Sequence, residues 1–144
     1  MAELNDLDIW VTDIGNAYLE AKTLEKVFIK AGKEFTDRAG HILIIHKALY
    51  GLRSSGQRWH ERFADCLRDM GFKPCKAEPD IWMRKSIDKY EYIAVYVDDL
   101  AIAAVNPKEI IEALMIKYKF KLKGTGPILY HFGCNFFWGR LSYF

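Results

Sequence analysis

The chain has 144 residues, of which 51% are hydrophobic, 28% charged and 15% aromatic, and its formal net charge is +2. This composition excludes a disordered or low-complexity protein and favours a packed core. Charges interrupt every apolar run before it reaches the length of a membrane-spanning helix, and the acidic first residues are not typical of a signal peptide. The three cysteines form no CxxC pair, which argues against a disulfide framework or structural zinc and favours a reducing compartment.

The small net charge is the sum of four blocks of alternating sign. Residues 1–40 carry five basic and eight acidic side chains (−3), and residues 41–76 carry seven and three (+4). Residues 77–116 carry four and eight (−4), and residues 117–144 carry five basic side chains and no acidic ones (+5). Basic faces suit phosphate backbones and acidic clusters suit divalent metals, but composition alone favours ordinary solvated faces.

Hydrophobic periodicity predicts strands mixed with helices along the chain. The predicted strands are residues 7–13, 26–30, 42–45, 92–97, 100–105, 117–123 and 128–138. The predicted helices are a short turn at 14–21, a long helix at 54–71 and a second helix from Pro107 to about Tyr118, and a turn is predicted at 124–127. This order predicts one α+β domain over residues 1–144, built around a largely antiparallel sheet.

The long helix has the clearest pattern. Ser54 or Ser55 is suited to cap its N-terminus, and Gly71 lies where a C-terminal stop belongs. One face carries an apolar stripe that is explained by the core alone: Trp59, Phe63, Cys66, Leu67 and Met70.

Two adjacent carboxylates, Asp98 and Asp99, separate two apolar strands and are expected to form the turn of a hairpin. The uninterrupted apolar sequence predicts that both strands are buried on both faces. Like charges raise each other's pKa at such a tip, and a bound divalent cation would remove the repulsion. A simple solvated turn explains the pair equally well.

Asp13 ends the first predicted strand, as Asp98 ends a later one. Two such strands lying side by side would present both carboxylates to one point. Two divalent ions bridged there would activate a 3′-hydroxyl and stabilise a pyrophosphate leaving group, as in nucleotidyl transfer. A third aspartate is common by chance, so spacing alone does not establish the triad.

Four motifs in order resemble those of copia-type (Pseudoviridae) LTR-retrotransposon reverse transcriptases. The segment 13–18 (DIGNAY) resembles their first catalytic motif, and 96–99 (YVDD) resembles their Tyr-x-Asp-Asp box. The segment 47–53 (KALYGLR), followed by Trp59, is similar to the stretch between these two motifs. Residues 126–128 (GPI), with Tyr130 and Gly133, resemble a downstream run of the same family, so the likeness spans nearly the whole chain.

The resemblance implies a polymerase palm that extends a primer on an RNA or DNA template with dNTPs. It implies that Asp13 and Asp98 bridge two Mg²⁺ ions, for which Mn²⁺ can substitute, that Asp99 completes the catalytic triad, and that Ile14 joins the metal ligands. It also implies a nucleotide-binding segment at Ile14, Gly15, Asn16, Ala17 and Tyr18, where the Tyr18 ring excludes a ribose 2′-hydroxyl. Tyr50 and Gly51 are implied to line the nucleotide and template side. Weaker candidates for nucleic-acid contact are Tyr96, Lys119, Lys121 and Lys123.

The family also implies fingers, thumb and RNase H regions of the same polyprotein as partners, and no membrane. Because these regions are expected to lie outside the 144 residues, the chain by itself is expected to be inactive. An active element would place it in a cytoplasmic virus-like particle.

Two other interpretations remain open. A non-catalytic relic or co-opted module would bind single-stranded nucleic acid through aromatics and lysines, without a metal requirement. A purely structural α+β domain with an acidic turn would bind neither nucleic acid nor metal.

Overall fold

The computed structural model describes residues 6–128, 130–131 and 134–135, and its mixture of strands and helices confirms the predicted α+β class. The chain divides into two compact units, a sheet unit of residues 1–15 and 71–144 and a central unit of residues 16–70. Within the described residues, no helix has the length and apolar character needed to span a membrane.

The elements are named in chain order. The strands are β1 (Asp8–Ile14), β2 (Lys22–Lys30), β3 (Ile42–Lys47), β4 (Lys73–Pro74), β5 (Ile81–Lys85), β6 (Tyr90–Tyr96), β7 (Asp99–Ala104), β8 (Leu122–Pro127), β9 (Tyr130–His131) and β10 (Cys134–Asn135). The α-helices are α1 (Ser55–Asp69) and α2 (Pro107–Ile116), and short 3₁₀ helices span Ala17–Glu20 and Lys33–Arg38.

The sheet unit is built on six strands in the order β4-β5-β6-β7-β1-β8, and every neighbouring pair is antiparallel. The predicted antiparallel sheet is therefore confirmed. β1, the first strand in the chain, lies between β7 and β8, which begin at Asp99 and Leu122. This placement joins the start of the chain to the hairpin that carries the paired aspartates.

Alternation along β6 and β7 buries one face of the sheet more completely than the other. Ile93, Leu100 and Ile102 are fully buried, whereas the residues between them are half-buried. The expectation that both faces are buried is therefore wrong. α2 packs on β1 and β7, and its apolar side chains Ile110 and Leu114 are buried.

The β5–β6 hairpin contains a buried charge. The Glu91 carboxylate, with only 5% of the residue exposed, accepts a hydrogen bond of 2.7 Å from Arg84 Nε on the neighbouring strand. The Arg84 guanidinium also lies 4.6 Å from the centre of the Phe72 ring. This pairing compensates the Glu91 charge, since an unpaired carboxylate at this depth would be strongly unfavourable.

The central unit holds the β2–β3 hairpin, both 3₁₀ helices and α1. The apolar stripe of α1 is buried as predicted, and Trp59 stacks on Phe63 with ring centres 5.2 Å apart. Of the two serines predicted to cap α1, Ser54 occupies the N-cap position and Ser55 is the first helical residue. The Ser54 hydroxyl, also within the described residues, makes no capping hydrogen bond.

The C-terminal third departs from the predicted elements. α2 ends at Ile116, and residues 117–121 form no strand, so the predicted lysine-edged strand begins only at β8. The turn predicted at 124–127 is wrong, because these residues continue β8 to Pro127. Much of the strand predicted at 128–138 lies outside the described residues. Of its described part, β9 and β10 pair as two short antiparallel strands.

Candidate active site

The tip of the β6–β7 hairpin differs from the sequence-based expectation by one residue. Tyr96 and Asp99 are paired across the hairpin, so the two turn residues are Val97 and Asp98. Asp99 is the first residue of β7 rather than part of the turn. Val97 adopts a left-handed φ of 57°, which a β-branched side chain rarely takes. The tip therefore holds backbone strain beside both aspartates.

Asp13 and Asp99 face each other directly on the neighbouring strands β1 and β7. Residues that are directly opposite in an antiparallel pair have Cβ atoms about 4.5–5.5 Å apart and lie on the same face. Tyr96 pairs with Asp99 on one side and Lys123 pairs with Asp13 on the other. A row of four side chains, Tyr96, Asp99, Asp13 and Lys123, therefore crosses the less buried face of the sheet.

A β-bulge in β8 brings Lys123 into this row. Val11 pairs with Gly126, but Asp13 pairs with Lys123, so β8 contains one residue more than β1 in this interval. Gly124, at the bulge, has a φ of +58°, which glycine adopts without the steric cost of a Cβ. Without the extra residue, Asp13 would face Gly124. The bulge thus places a cation, rather than a glycine, opposite the acidic pair.

Thr12 stabilises this irregular pairing from the buried face. Its hydroxyl donates to the Lys123 carbonyl at 3.2 Å and lies 2.7 Å from the Thr125 hydroxyl. These contacts fall on either side of Gly124. They give the buried Thr12 hydroxyl the hydrogen-bond partners that it requires. They also give a partner to the Lys123 carbonyl at the bulge.

The backbone directly after Asp13 forms hydrogen bonds to the β6–β7 turn and to the residue before β8. The Ile14 N–H donates to the Asp98 carbonyl at 2.8 Å, and the Gly15 N–H donates to the Lys121 carbonyl at 2.7 Å. A Cβ on Gly15 would lie 3.0 Å from Lys123 Cε, so the glycine leaves room for that side chain. Ile14 and Gly15 therefore hold the turn residue Asp98 and the residue before β8, Lys121, through their backbones.

The pKa of Asp13 is raised above its ordinary value of 3.8. The largest cause is desolvation by burial, followed by repulsion from Asp98 and Asp99, while the Lys123 ammonium partly opposes the shift. Burial and the two neighbouring carboxylates therefore outweigh the Lys123 ammonium in setting the direction of the shift in the Asp13 pKa. Perturbed carboxyl groups of this kind are typical of functional sites, although structural networks also produce them.

The raised pKa of Asp13 predicts a pH-dependent contribution to stability. Above the ordinary value of 3.8, the folded chain holds the Asp13 proton more tightly than the unfolded chain does. The Asp13 contribution to the free energy of unfolding should then fall as pH rises from 3.8 through the folded pKa. The measurement is the free energy of unfolding in urea for the wild type and for Asp13→Asn at each pH in this range. The difference between the two values is the Asp13 contribution. A difference that is independent of pH would contradict the account.

The described residues contain no group of three or more carboxylate, imidazole or thiolate side chains arranged to hold a metal ion. The aspartates nevertheless supply the donor chemistry that Mg²⁺ prefers, since hard cations take carboxylate oxygens. The charge imbalance at Asp13 also favours a cation. The three aspartates are therefore of the donor type that a divalent cation takes.

The other predicted nucleotide-binding residues lie in the central unit. Asn16 has a left-handed backbone and precedes the 3₁₀ helix Ala17–Glu20, in which Ala17 is buried. The rings of Tyr18 and Tyr50 meet edge to face, with centres 4.3 Å apart and planes at 85°. The structure therefore brings Tyr18 and Tyr50 together, although 31 residues separate them in the chain.

The lysines proposed for nucleic-acid contact are all exposed. Lys119, Lys121 and Lys123 lie at the surface of the sheet unit, and Lys119 has a left-handed φ of 62°. Tyr96 is exposed at the end of β6. Their exposure permits contact with phosphates but equally fits solvated side chains.

Sequence reasoning missed two residues around these sites. Lys123 was assigned only to nucleic acid, because the bulge that aims it at Asp13 is not visible in the periodicity. Ser55 was assigned only as a helix cap, but its hydroxyl bonds to the backbone of Leu49, beside Tyr50. The signal available in the sequence is the position of Ser55 just after the motif at 47–53.

The chain that forms this fold, with aspartates opposed at the hairpin, is similar to a known protein family. The family model for reverse transcriptase (RNA-dependent DNA polymerase) matches residues 1–139. The chain therefore belongs to the reverse transcriptase family, which confirms the resemblance inferred from its motifs.

The relatives are copia-type retrotransposon proteins. A transposon Ty5-1 protein of Saccharomyces cerevisiae is 31% identical over 98 residues, which cover 67% of this chain and 32% of that protein. The Pol polyprotein of transposon RE1 from Arabidopsis thaliana is 25% identical over 124 residues, 84% of this chain and 8% of the polyprotein. The Ty1-DR4 Gag-Pol polyprotein of S. cerevisiae is 27% identical over 126 residues, 85% of this chain and 8% of the polyprotein. The chain thus spans a third or less of each of these relatives.

Proposed function

We propose that this chain is the catalytic palm of an RNA-directed DNA polymerase. In this reaction, the 3′-hydroxyl of a primer attacks the α-phosphorus of a dNTP, one nucleotide is added and pyrophosphate leaves. The observation that carries the proposal is the direct pairing of Asp13 with Asp99, with Asp98 beside them in the turn. Membership of the reverse transcriptase family supports the same chemistry.

The three aspartates are the proposed holders of two Mg²⁺ ions, for which Mn²⁺ can substitute, and Ile14 is proposed as a further ligand through its carbonyl oxygen. When bound, such ions supply Lewis-acid activation of the hydroxyl and stabilise the charge on the leaving group. Fixed carboxylates suit this role because hydrogen bonds from β1 hold the hairpin tip in place. Lys123 limits the repulsion among them.

The nucleotide is proposed to bind along the segment from Ile14 to Tyr18, with Tyr50 and Gly51 on the nucleotide and template side. A flat ring beneath the sugar leaves no room for a ribose 2′-hydroxyl, and Tyr18 is the proposed ring. The edge-to-face contact with Tyr50 supports this assignment because it restrains the Tyr18 ring.

The proposed substrates are a primer on an RNA or DNA template and dNTPs. The exposed lysines Lys119, Lys121 and Lys123, together with Tyr96, are proposed to contact the nucleic acid. Since the relatives are long polyproteins, the proposed partners include their fingers, thumb and RNase H regions.

A second candidate function is non-catalytic binding of single-stranded nucleic acid. It is favoured by the exposure of Lys117, Lys119, Lys121 and Lys123 around Tyr118, over which Lys117 Nζ lies at 5.1 Å from the ring centre. Lysines interleaved with an aromatic ring suit phosphates and stacked bases. This function predicts salt-dependent binding that needs no metal and is unaffected by Asp13→Asn.

Primer extension tests the proposal. The chain, extended by the sequence encoded on either side of it, should add dNTPs to a primer in Mg²⁺, and Asp98→Asn should lower the rate at least about a hundredfold, because the affected group is a metal ligand. Asp88→Asn is the matched control, because Asp88 is exposed and lies in the β5–β6 turn. Equal rates for Asp98→Asn and Asp88→Asn would contradict the assignment of the site.

A further inference from the structure

The loop that carries Tyr50 is held by a buried serine. Ser55 is only 3% exposed, and its hydroxyl donates to the Leu49 carbonyl at 2.6 Å. The same oxygen accepts a hydrogen bond from the Leu49 N–H at 3.0 Å. One side chain therefore binds both backbone polar groups of the residue before Tyr50. This arrangement fixes the peptide planes on both sides of Leu49.

The backbone from Leu49 to Leu52 forms a tight turn. The Leu52 N–H donates to the Leu49 carbonyl at 3.2 Å, and Gly51 has a φ of +91° at the third position. A positive φ at the third position is the pattern of a type II turn, for which glycine is the preferred residue. Tyr50 occupies the second position, where the turn fixes the direction of its side chain.

Backbone hydrogen bonds connect this turn to the segment that carries Tyr18. The Ala48 N–H donates to the Ala21 carbonyl at 3.0 Å, and the Ala21 N–H donates to the Tyr18 carbonyl at 3.1 Å. The edge-to-face contact of Tyr18 with Tyr50 closes the connection through the side chains. The two rings are thus held in a closed loop of contacts, and Ser55 binds this loop at Leu49.

A cavity of about 310 Å³ opens beside the two rings. Its lining residues are Asn16, Tyr18, Leu19, Ala48, Leu49 and Tyr50. This volume is at the lower end of the range for small-molecule sites, so modest ring movements change its shape appreciably. Tyr50 is 69% exposed, and in the absence of restraint its ring would have wide freedom.

We propose that Ser55 and Tyr50 are positioning residues that determine sugar specificity by fixing the Tyr18 ring. Ser55 fixes the turn, the turn directs Tyr50, and the edge of Tyr50 restrains Tyr18. A restrained ring excludes an extra oxygen, whereas a ring that can shift makes room for it. The inference rests on the proposed function, in which Tyr18 lies beneath the sugar of the incoming nucleotide.

The test compares Ser55→Ala with Ser54→Ala in the chain extended by its flanking coding sequence. Two quantities are measured, namely hydrogen exchange at the Leu49 amide and the ratio of kcat/KM for a dNTP to that for the matching rNTP. Ser55→Ala should expose the Leu49 amide to exchange and lower the ratio about fivefold to tenfold, because both hydrogen bonds that hold Leu49 are lost. The dNTP KM should rise while kcat changes less than about twofold.

Two further variants separate positioning from a general loss of structure. Ser55→Thr keeps the hydroxyl and should retain most of the discrimination, and Tyr50→Ala should lower it as Ser55→Ala does. Ser54→Ala should change neither quantity.

The outcomes distinguish this inference from the proposed function. If the wild type incorporates dNTPs and Ser55→Ala discriminates as well as Ser54→Ala does, the positioning role is wrong and the proposed function stands. If the wild type incorporates neither kind of nucleotide, the proposed function fails and the inference fails with it. Faster exchange at Leu49 together with relaxed sugar selection supports the inference.

Discussion

Asp13→Asn is expected to abolish primer extension while making the folded chain slightly more stable. Loss of a metal-holding carboxylate should lower the rate at least about a hundredfold. The same change removes a like-charge contact with Asp99, which lies directly opposite on β7. Relief of such a cross-strand contact should raise the free energy of unfolding by about 0.2–1 kcal/mol at neutral pH. Opposite effects on activity and stability are characteristic of a functional charge cluster.

Urea unfolding and primer extension, performed on the same preparations, check both parts of this prediction. Asp88→Asn controls for the removal of an aspartate in a hairpin turn away from the cluster. A stability loss in Asp13→Asn would show that the carboxylate serves the fold, and the account of uncompensated charge would then be wrong.

Leu100→Ala is expected to lower the free energy of unfolding by about 2–5 kcal/mol. Leu100 follows Asp99 on β7, is fully buried, and pairs with Val95 and Thr12 on the two neighbouring strands. Its truncation leaves a cavity at the centre of the six-stranded sheet. A loss of this size is a large fraction of the 5–15 kcal/mol that stabilises an ordinary domain.

Ile87→Ala is the matched control for this prediction. Ile87 lies in the turn between β5 and β6 and is 92% exposed, so its truncation should change stability by less than about 0.5 kcal/mol. Equal losses for the two variants, measured by urea unfolding, would show that the side of the sheet that carries Leu100 is not a packed core.

Much of the architecture could be predicted because it depends on local patterns. The apolar runs around the Asp98-Asp99 pair predicted the β6–β7 hairpin, and helical spacing predicted the buried stripe of α1. The approach of Asp13 to the hairpin was a hypothesis from two strands that each end in an aspartate, and the resemblance to reverse transcriptase motifs supported it. The antiparallel pairing of β1 with β7 confirms that these strands are neighbours.

The remaining features depend on register and on long-range contacts. The hairpin register differs from the predicted one by a single residue, so that Asp99 lies in β7 rather than in the turn. One extra residue in β8 places Lys123 opposite Asp13. Neither shift changes the hydrophobic pattern by which strands are recognised. The partner of the Ser55 hydroxyl is likewise set by a turn six residues earlier, so its role becomes visible only in three dimensions.

A bulge and a strained turn lie beside the opposed carboxylates at one end of the sheet. Val97 holds an unfavourable φ and Gly124 a left-handed one, and both lie beside the row that contains Asp13. Strain of this kind persists where the surrounding structure determines the local geometry. Here β1, hydrogen-bonded to both neighbours, provides that surrounding structure.

The central claim, that Asp13, Asp98 and Asp99 together hold divalent cations, is tested most directly by NMR. The carboxylate ¹³C resonances of labelled aspartates are followed while the full chain is titrated with Mg²⁺. The account predicts that these three resonances shift together with one saturating dependence on Mg²⁺, while the resonance of Asp88 stays unchanged. Shifts at the three aspartates no larger than that of Asp88 would contradict the claim.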